Sequence, residues 1–332
     1  MSEQVNNIIK RPLTQNKVHP IKTGRYLLAT NEIHRLYETI SRWIFSRAPG
    51  GIVYGRPRLG KTRAIQFILK ALPDELGEKL PVFKFNCRHK KIASENTFFE
   101  DLLKDVGHSD PFSNKTNAKR ERLYSYLIEK GQTSQENRVI LIIDDAQELH
   151  EIQYGWLMDI HNELDRAEID LTVILVGQKE LLGQRSSFIK LKKAQIIGRF
   201  MVHEYKFVGI KSYDDIHACL LGYDEESEFP DNSGFSFTRY YFPEAFSNGL
   251  RLSTYTQELM DIFTEIRQKH NIRKGLEIPM QYFTRTIEYI LIHYGVDGKN
   301  VEVLTKNHFK EAVKYSGYIE SEIYSDLLNK GG

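Results

Sequence analysis

The sequence predicts an α/β fold, a parallel sheet covered on both faces, followed by a smaller helical domain. Two observations predict it. Between residues 51 and 210, short and nearly continuous apolar runs alternate with segments of helical period, the pattern of strands buried on both faces. After about residue 211 the strand signal fades, and helical periodicity resumes alone from about residue 254. The expected organisation is an N-terminal arm over 1–30, an α/β domain over 31–210 and a helical region over 211–332.

Residues 1–30 mix polar, basic and proline residues without a period, and their complexity predicts an arm that docks on something. Ile33, Leu36, Tyr37, Ile40, Trp43 and Ile44 then recur at helical spacing. "GIVYG" (51–55) reads as a short buried strand, and Ala64, Ile65, Ile68, Leu69 and Leu72 place a helix after it. A second strand is expected at 81–87, with helices around 94–106 and 117–130. "RVILIID" (138–144) is the most apolar strand, followed by a helix through Trp156, Leu157 and Ile160. A fourth strand falls at 171–177 and a fifth within "VHEYKFVGI". Acidic "YDEESEFPDNSG" (223–234) reads as a loop, and helices are expected near 254–270, 279–294 and 305–329.

Composition is that of a globular protein, with 332 residues, 41% hydrophobic and 27% charged. Forty-six Lys and Arg balance 44 Asp and Glu, so any basic surface must be local. The two cysteines, Cys87 and Cys219, lie far apart and outside metal or redox spacings, which predicts buried reduced thiols. No apolar signal core opens the chain and no stretch has a membrane span's length, so a cytoplasmic location without membrane contact is expected.

"GRPRLGKT" (55–62) fits the pattern G-x-x-x-x-G-K-[ST], with a strand before it and a helix after it. Such a loop bends so that successive backbone N–H groups face phosphates, and the following helix adds its positive end. The nucleotide-binding set is then Gly55, Arg56, Pro57, Arg58, Leu59, Gly60, Lys61, Thr62 and Arg63. Lys61 would reach the β- and γ-phosphates of ATP, and the Thr62 hydroxyl would ligate Mg²⁺. Arg56 and Arg58 stand where small residues are common. They can be solvated, touch nucleotide or meet a neighbouring subunit.

"VILIIDDAQEL" ends a strand in acids, which places Asp144 beside Mg²⁺. Asp145 stands where glutamate usually orients the attacking water. Its side chain is one methylene shorter, which predicts slow hydrolysis, and Glu148 is a weaker candidate for the role. Gln178, after the fourth strand, either hydrogen-bonds the γ-phosphate or the water, or is a polar turn residue. Arg199, in "AQIIGRF", reads as an arginine supplied to another subunit's γ-phosphate, against one more charge on a basic helix. Arg251 is a lid arginine reaching the nucleotide or a surface ion pair. Two basic clusters, "CRHKK" (87–91) and "NKTNAKRER" (114–122), offer phosphate contacts through Lys90, Lys91, Lys115, Lys119 and Arg120, or are solvated charge runs.

A phosphate loop, an acid-ended strand, a polar strand tip and a late arginine stand here in the order of AAA+ P-loop NTPases. "YGRPRLGKTRAIQF", "LIIDDAQEL", "ILVGQKEL" and "QIIGRF" together resemble the TnsC family of AAA+ transposition regulators, and most closely those of CRISPR-associated transposons. The resemblance spans roughly 30–330 and is strongest over 51–200. It implies an ATP-dependent homo-oligomer, ring or filament, on double-stranded DNA, linking a TniQ-type target selector to the TnsA/TnsB transposase. By position it implies phosphate binding at Gly55, Gly60, Lys61 and Thr62, an acidic pair at Asp144 and Asp145, a sensor at Gln178 and a finger at Arg199. "RPR" within the loop and Asp at 145 depart from the family pattern. The competing readings are a non-hydrolysing nucleotide-gated scaffold, a secretion-associated ATPase and a replication-type ATPase. The last two are disfavoured by the lack of an anchor and of a winged-helix pattern.

Overall fold

The computed structural model describes residues 11–12, 18–77, 79–113, 115–272 and 275–330. These divide into two compact units. One runs from Arg35 to Phe207, and the other joins the described residues up to His34 with those from Val208 onward. The boundary falls within helix α2 (Asn31–Phe45), which follows the short α1 (Pro20–Thr23). Residues 1–10, 13–17 and 331–332, part of the expected arm and C-terminal region, lie outside the described set.

The first unit holds strands β1 (Gly50–Tyr54), β2 (Val82–Asn86), β3 (Arg138–Asp144), β4 (Asp170–Gly177) and β5 (His203–Lys206). They form one parallel sheet in the order β2-β3-β4-β1-β5. Helices α3 (Lys61–Leu76), α4 (Glu95–Asp105), α5 (Thr116–Thr133), α6 (Glu151–Arg166), α7 (Glu180–Lys190) and α8 (Ala194–Phe200) complete it. Every residue of β3 is buried, and its apolar run 139–143 is what a strand covered on both faces requires. Ile52, Leu141, Ile143, Val173 and Leu175 pack with Phe98, Phe99, Leu157 and Phe200 in one core. In chain order β1 connects to β2 past two intervening strands, and β4 connects to β5 across β1. The carboxyl ends of β3, β4 and β1 therefore stand side by side on one edge, where ligands of open α/β sheets bind.

The fifth strand covers only four residues of the expected segment. Its residues alternate between half-buried and exposed, and beyond Lys206 the ladder with β1 ends after Phe207 N–H donates to the Tyr54 carbonyl at 2.8 Å.

The second unit is helical: α9 (Tyr213–Leu221), α10 (Phe237–Tyr241), α11 (Pro243–Ser247), α12 (Thr256–Lys269), α13 (Met280–Tyr289), α14 (Lys306–Tyr315) and α15 (Tyr318–Lys330). Aromatic side chains fill its core, with Tyr223, Tyr241, Tyr282, Phe263 and Tyr318 fully buried. The acidic stretch expected as a loop begins instead as a π turn, Gly222–Glu226. Asp224 is buried there because its carboxylate accepts from the backbone of Leu252 and Ser253 at 3.0 and 2.9 Å. The expected helix at 305–329 is two helices, because Gly317 takes φ +78° between them. The described part of the N-terminal segment packs on this unit. His19 sits within 4.4–4.9 Å of the rings of Phe229, Phe237, Tyr240 and Tyr241, and the Tyr26 hydroxyl donates to Glu288 at 2.8 Å.

Candidate nucleotide site

The segment after β1 folds back over the sheet edge. Gly55 N–H donates to the Gly177 carbonyl at 3.2 Å, and a Cβ on Gly55 would lie 2.5 Å from the Phe207 carbonyl oxygen, so only glycine fits. Leu59 is buried and anchors the loop from beneath, while Pro57 and Arg58 face solvent and Arg56 is half-buried. Gly60 takes φ +105° and begins α3 without a capping side chain. The first-turn N–H groups, including those of Lys61, Thr62 and Arg63, thus have no side-chain cap and can meet an anion. Thr62 is exposed, and the Arg63 guanidinium donates to Gln66 Oε1 at 2.9 Å.

Lys61 crosses the loop. Its Nζ donates to the carbonyls of Gly55 and Arg56 at 2.9 and 2.8 Å. Burial lowers its pKa from the ordinary lysine value, opposed by the negative charges of Asp144, Asp145 and Glu180. A glycine cradle that a Cβ would fill, uncapped N–H groups and an ammonium facing two acids fit the triphosphate end of a nucleotide and its metal. Thr62 and Asp144 are the residues that would hold Mg²⁺.

Asp144 ends β3 with little solvent exposure. Lys84 of β2 pairs with its Oδ2 at 2.9 Å, and its Oδ1 accepts the Asp145 N–H at 3.1 Å. Sequence reasoning missed Lys84, although a lysine between Phe83 and Phe85 in a strand was a signal. Asp145 is exposed, with φ +53°, a left-handed conformation that Asp tolerates better than most residues. Its Oδ1 accepts from Gln147 Nε2 at 3.2 Å. Glu148 turns elsewhere, to His89 Nδ1 at 2.7 Å. The Gln178 N–H donates to Gln147 Oε1 at 3.0 Å. Gln147 thus touches both Asp145 and Gln178, and it too was missed.

Arg199 lies in the last turn of α8, half-buried. A Cβ on Gly50 would come within 2.8 Å of the Arg199 carbonyl oxygen, so Arg199 stands at the start of β1. The 55–62 segment follows the other end of that strand, roughly 13 Å away at the usual rise per residue. Burial, and next the nearby Arg199 charge, hold the His161 imidazole below its ordinary pKa.

The remaining candidates divide. Lys119 is 1% exposed and its ammonium is paired with Glu100, so it cannot face a DNA phosphate. Lys104 and Lys119 together pull the Glu100 carboxyl down to about 2. Lys90 pairs with Asp101, and Arg120 pairs with Glu95 at 2.7 Å while covering the Phe99 ring. Lys91 and Lys115 are exposed and, like Arg88, have no carboxylate partner among the described residues. In the helical unit Arg251 donates to the carbonyls of Phe246 and Leu250, both at 2.8 Å, with its guanidinium 3.5 Å above the Phe246 ring. Both cysteines are buried and free, and burial pushes each thiol up to about 12. No helix among the described residues is long and apolar enough to cross a membrane.

Residues 45–184 match the model of a family described as an AAA domain. The fold is that of the AAA+ P-loop NTPases. Among solved structures, the chain is similar to the ORC2 protein of Aeropyrum pernix in its ADPNP–ADP complexes. The two are 12% identical, with a TM-score of 0.51 over 90% of this chain and 72% of that one. The ADP form of the same protein gives 13% identity and a TM-score of 0.48, covering 92% and 72%. The Aeropyrum pernix ORC1 protein in complex with DNA gives 13% and 0.42, covering 94% and 68%. Among curated proteins none matches this sequence. The segment 55–62 leads from β1 into α3, and Asp144 ends β3.

Proposed function

We propose that this chain is an ATP-dependent regulator of DNA transposition of the TnsC type. It binds ATP with Mg²⁺ at 55–62, assembles on double-stranded DNA as a ring or filament, and links a TniQ-type selector to the TnsA/TnsB transposase. The observation that carries the nucleotide reading is Lys61, held on the carbonyls of Gly55 and Arg56 and facing Asp144 and Asp145. The transposition reading rests on the sequence resemblance across the same four motifs.

Binding uses the N–H groups of the loop and of the first turn of α3 for phosphate oxygens, with Lys61 supplying positive charge. Mg²⁺, when bound, neutralises phosphate charge. Thr62 and Asp144 would hold it, and Lys84 would have to share Asp144 with it. Asp145 orients water, poorly because it is short, so hydrolysis is slow and serves to release subunits. Arg199, at the opposite end of β1 from its own loop, completes a neighbouring subunit's site. The DNA-facing set becomes Arg88, Lys91 and Lys115, since Lys90, Lys119 and Arg120 already face carboxylates.

The test is assembly on DNA. With a non-hydrolysable ATP analogue and Mg²⁺, electron microscopy of the parent with double-stranded DNA is expected to show regular oligomers. Lys61→Ala is expected to remain folded, lose nucleotide binding and show none. Normal assembly by that variant overturns the phosphate-loop reading. Phosphate release separates this function from the non-hydrolysing scaffold, for which none is expected.

A further inference from the structure

Gln147 is the one side chain in the described site that touches both the acid after β3 and the tip of β4. We propose that it is a positioning residue for the γ-phosphate end of the site, and that Gly177 makes the room it needs. This rests on the nucleotide reading above.

The chain from Asp144 has to turn sharply to bring Gln147 there. Asp145 adopts its left-handed φ and Ala146–Glu148 form a single 3₁₀ turn, which aims Gln147 back at β4. Its amide then makes two contacts of opposite kind. Nε2 donates to the Asp145 carboxylate at 3.2 Å, and Oε1 accepts the Gln178 N–H at 3.0 Å. A carboxylate only accepts and a backbone N–H only donates, so the bridging group must offer one donor and one acceptor. An amide does. A glutamate would face Asp145 as a like charge, and an alanine would make neither contact.

The rest of the turn is pinned. Gln184 Nε2 donates to the carbonyls of Gln147 and Leu149 at 2.9 and 3.1 Å, and its Oε1 accepts from the buried Tyr154 hydroxyl at 2.9 Å. Gly177 is fitted to the same side chain. A Cβ there would lie 2.3 Å from Gln147 Oε1, closer than any contact between such atoms, and 2.8 Å from Leu181 Cδ1. With Gln147 in place, Asp145 and Gln178 are held in one register. Without it the exposed Asp145 carboxylate is free to change rotamer.

Gln147→Ala and Gly177→Ala test this through three readouts. The first is amide hydrogen exchange at Gln178. The second is the ratio of affinities for a fluorescent ATP analogue and for the corresponding ADP analogue, with Mg²⁺. The third is turnover. Both variants are expected to lose protection at Gln178, to keep the parent's ADP affinity, which also reports folding, and to lose ATP preference. Turnover should fall about 10²-fold with KM little changed, the scale of an ångström's misplacement. Gln147→Glu is expected to restore Gln178 protection without restoring turnover, separating the two contacts. Parental turnover and parental nucleotide ratio in Gln147→Ala overturn the proposal while leaving the nucleotide reading intact. A parent chain that binds neither nucleotide overturns that reading, and this proposal with it.

Discussion

Lys84 pairs with Asp144, the residue proposed to hold Mg²⁺, in a largely buried ion pair. The Asp144 carboxylate has little access to water, and Lys84 is its charged partner at 2.9 Å. Lys84→Met leaves that carboxylate without its cation, at a cost of about 3 kcal/mol in metal-free buffer. Because ligands that bind only the folded state stabilise it by mass action, ATP with Mg²⁺ is expected to raise the variant's Tm more than the parent's. Equal increments in a thermal melt would mean that Lys84 and the metal do not compete. At the neighbouring position, Asp145→Asn keeps an oxygen for the Gln147 amide, so ATP-dependent assembly should survive while turnover drops. A parental turnover in the ordinary enzymatic range of about 1–10³ s⁻¹ would contradict slow hydrolysis through Asp145. The pattern at 55–62, between a strand and a helix, was legible because it lies within eight residues. Lys84–Asp144 and Gln147–Gly177 were not, since strand register and a turn bring together residues distant in the chain.

Among the elements, the described N-terminal segment and the two basic clusters yield the sharpest expectations. His19 caps α1 through Nδ1, which accepts the Ile21 N–H at 3.1 Å, and burial drives its pKa down to about 4. The unfolded chain then binds the proton more readily than the folded one. The resulting stability is fully present above pH 6.5, the ordinary histidine value, and is lost as pH falls from there to about 4. Urea melts of the parent should show that acid loss, and His19→Leu should flatten it. An unchanged pH slope would place the acid sensitivity elsewhere. The basic clusters show the limit of composition. Lys119 belongs to a run that reads as solvated charge, yet α5 turns it inward onto Glu100. Replacing Arg88, Lys91 and Lys115 with Ala should weaken DNA binding uniformly across sequences and flatten the salt dependence. Lys119→Ala should mainly destabilise the fold. The helices near 254–270 and 279–294 were readable from periodicity, but α9, α10 and α11 were not, nor was the division at Gly317, which a backbone angle decides.

At the scale of the molecule, strand order explains why Asp144 and the 55–62 segment share an edge while Arg199 does not. The sheet brings β3, β4 and β1 together at their carboxyl ends and leaves Arg199 at the opposite end of β1. The order of motifs along the chain was legible in the sequence, and this separation needed the sheet. On the reading proposed here, nucleotide drives assembly through sites completed by a neighbouring subunit. Phosphate release by mixtures of Lys61→Ala and Arg199→Ala in the presence of DNA decides between trans and cis action. Arg199→Ala alone should bind ATP as the parent does and release almost no phosphate, and Lys61→Ala alone should be inactive. In a random equal mixture, about a quarter of head-to-tail interfaces combine an intact loop with an intact arginine, and activity should recover toward that fraction. No recovery in mixtures shown to co-assemble would rule out sites completed by the neighbouring Arg199.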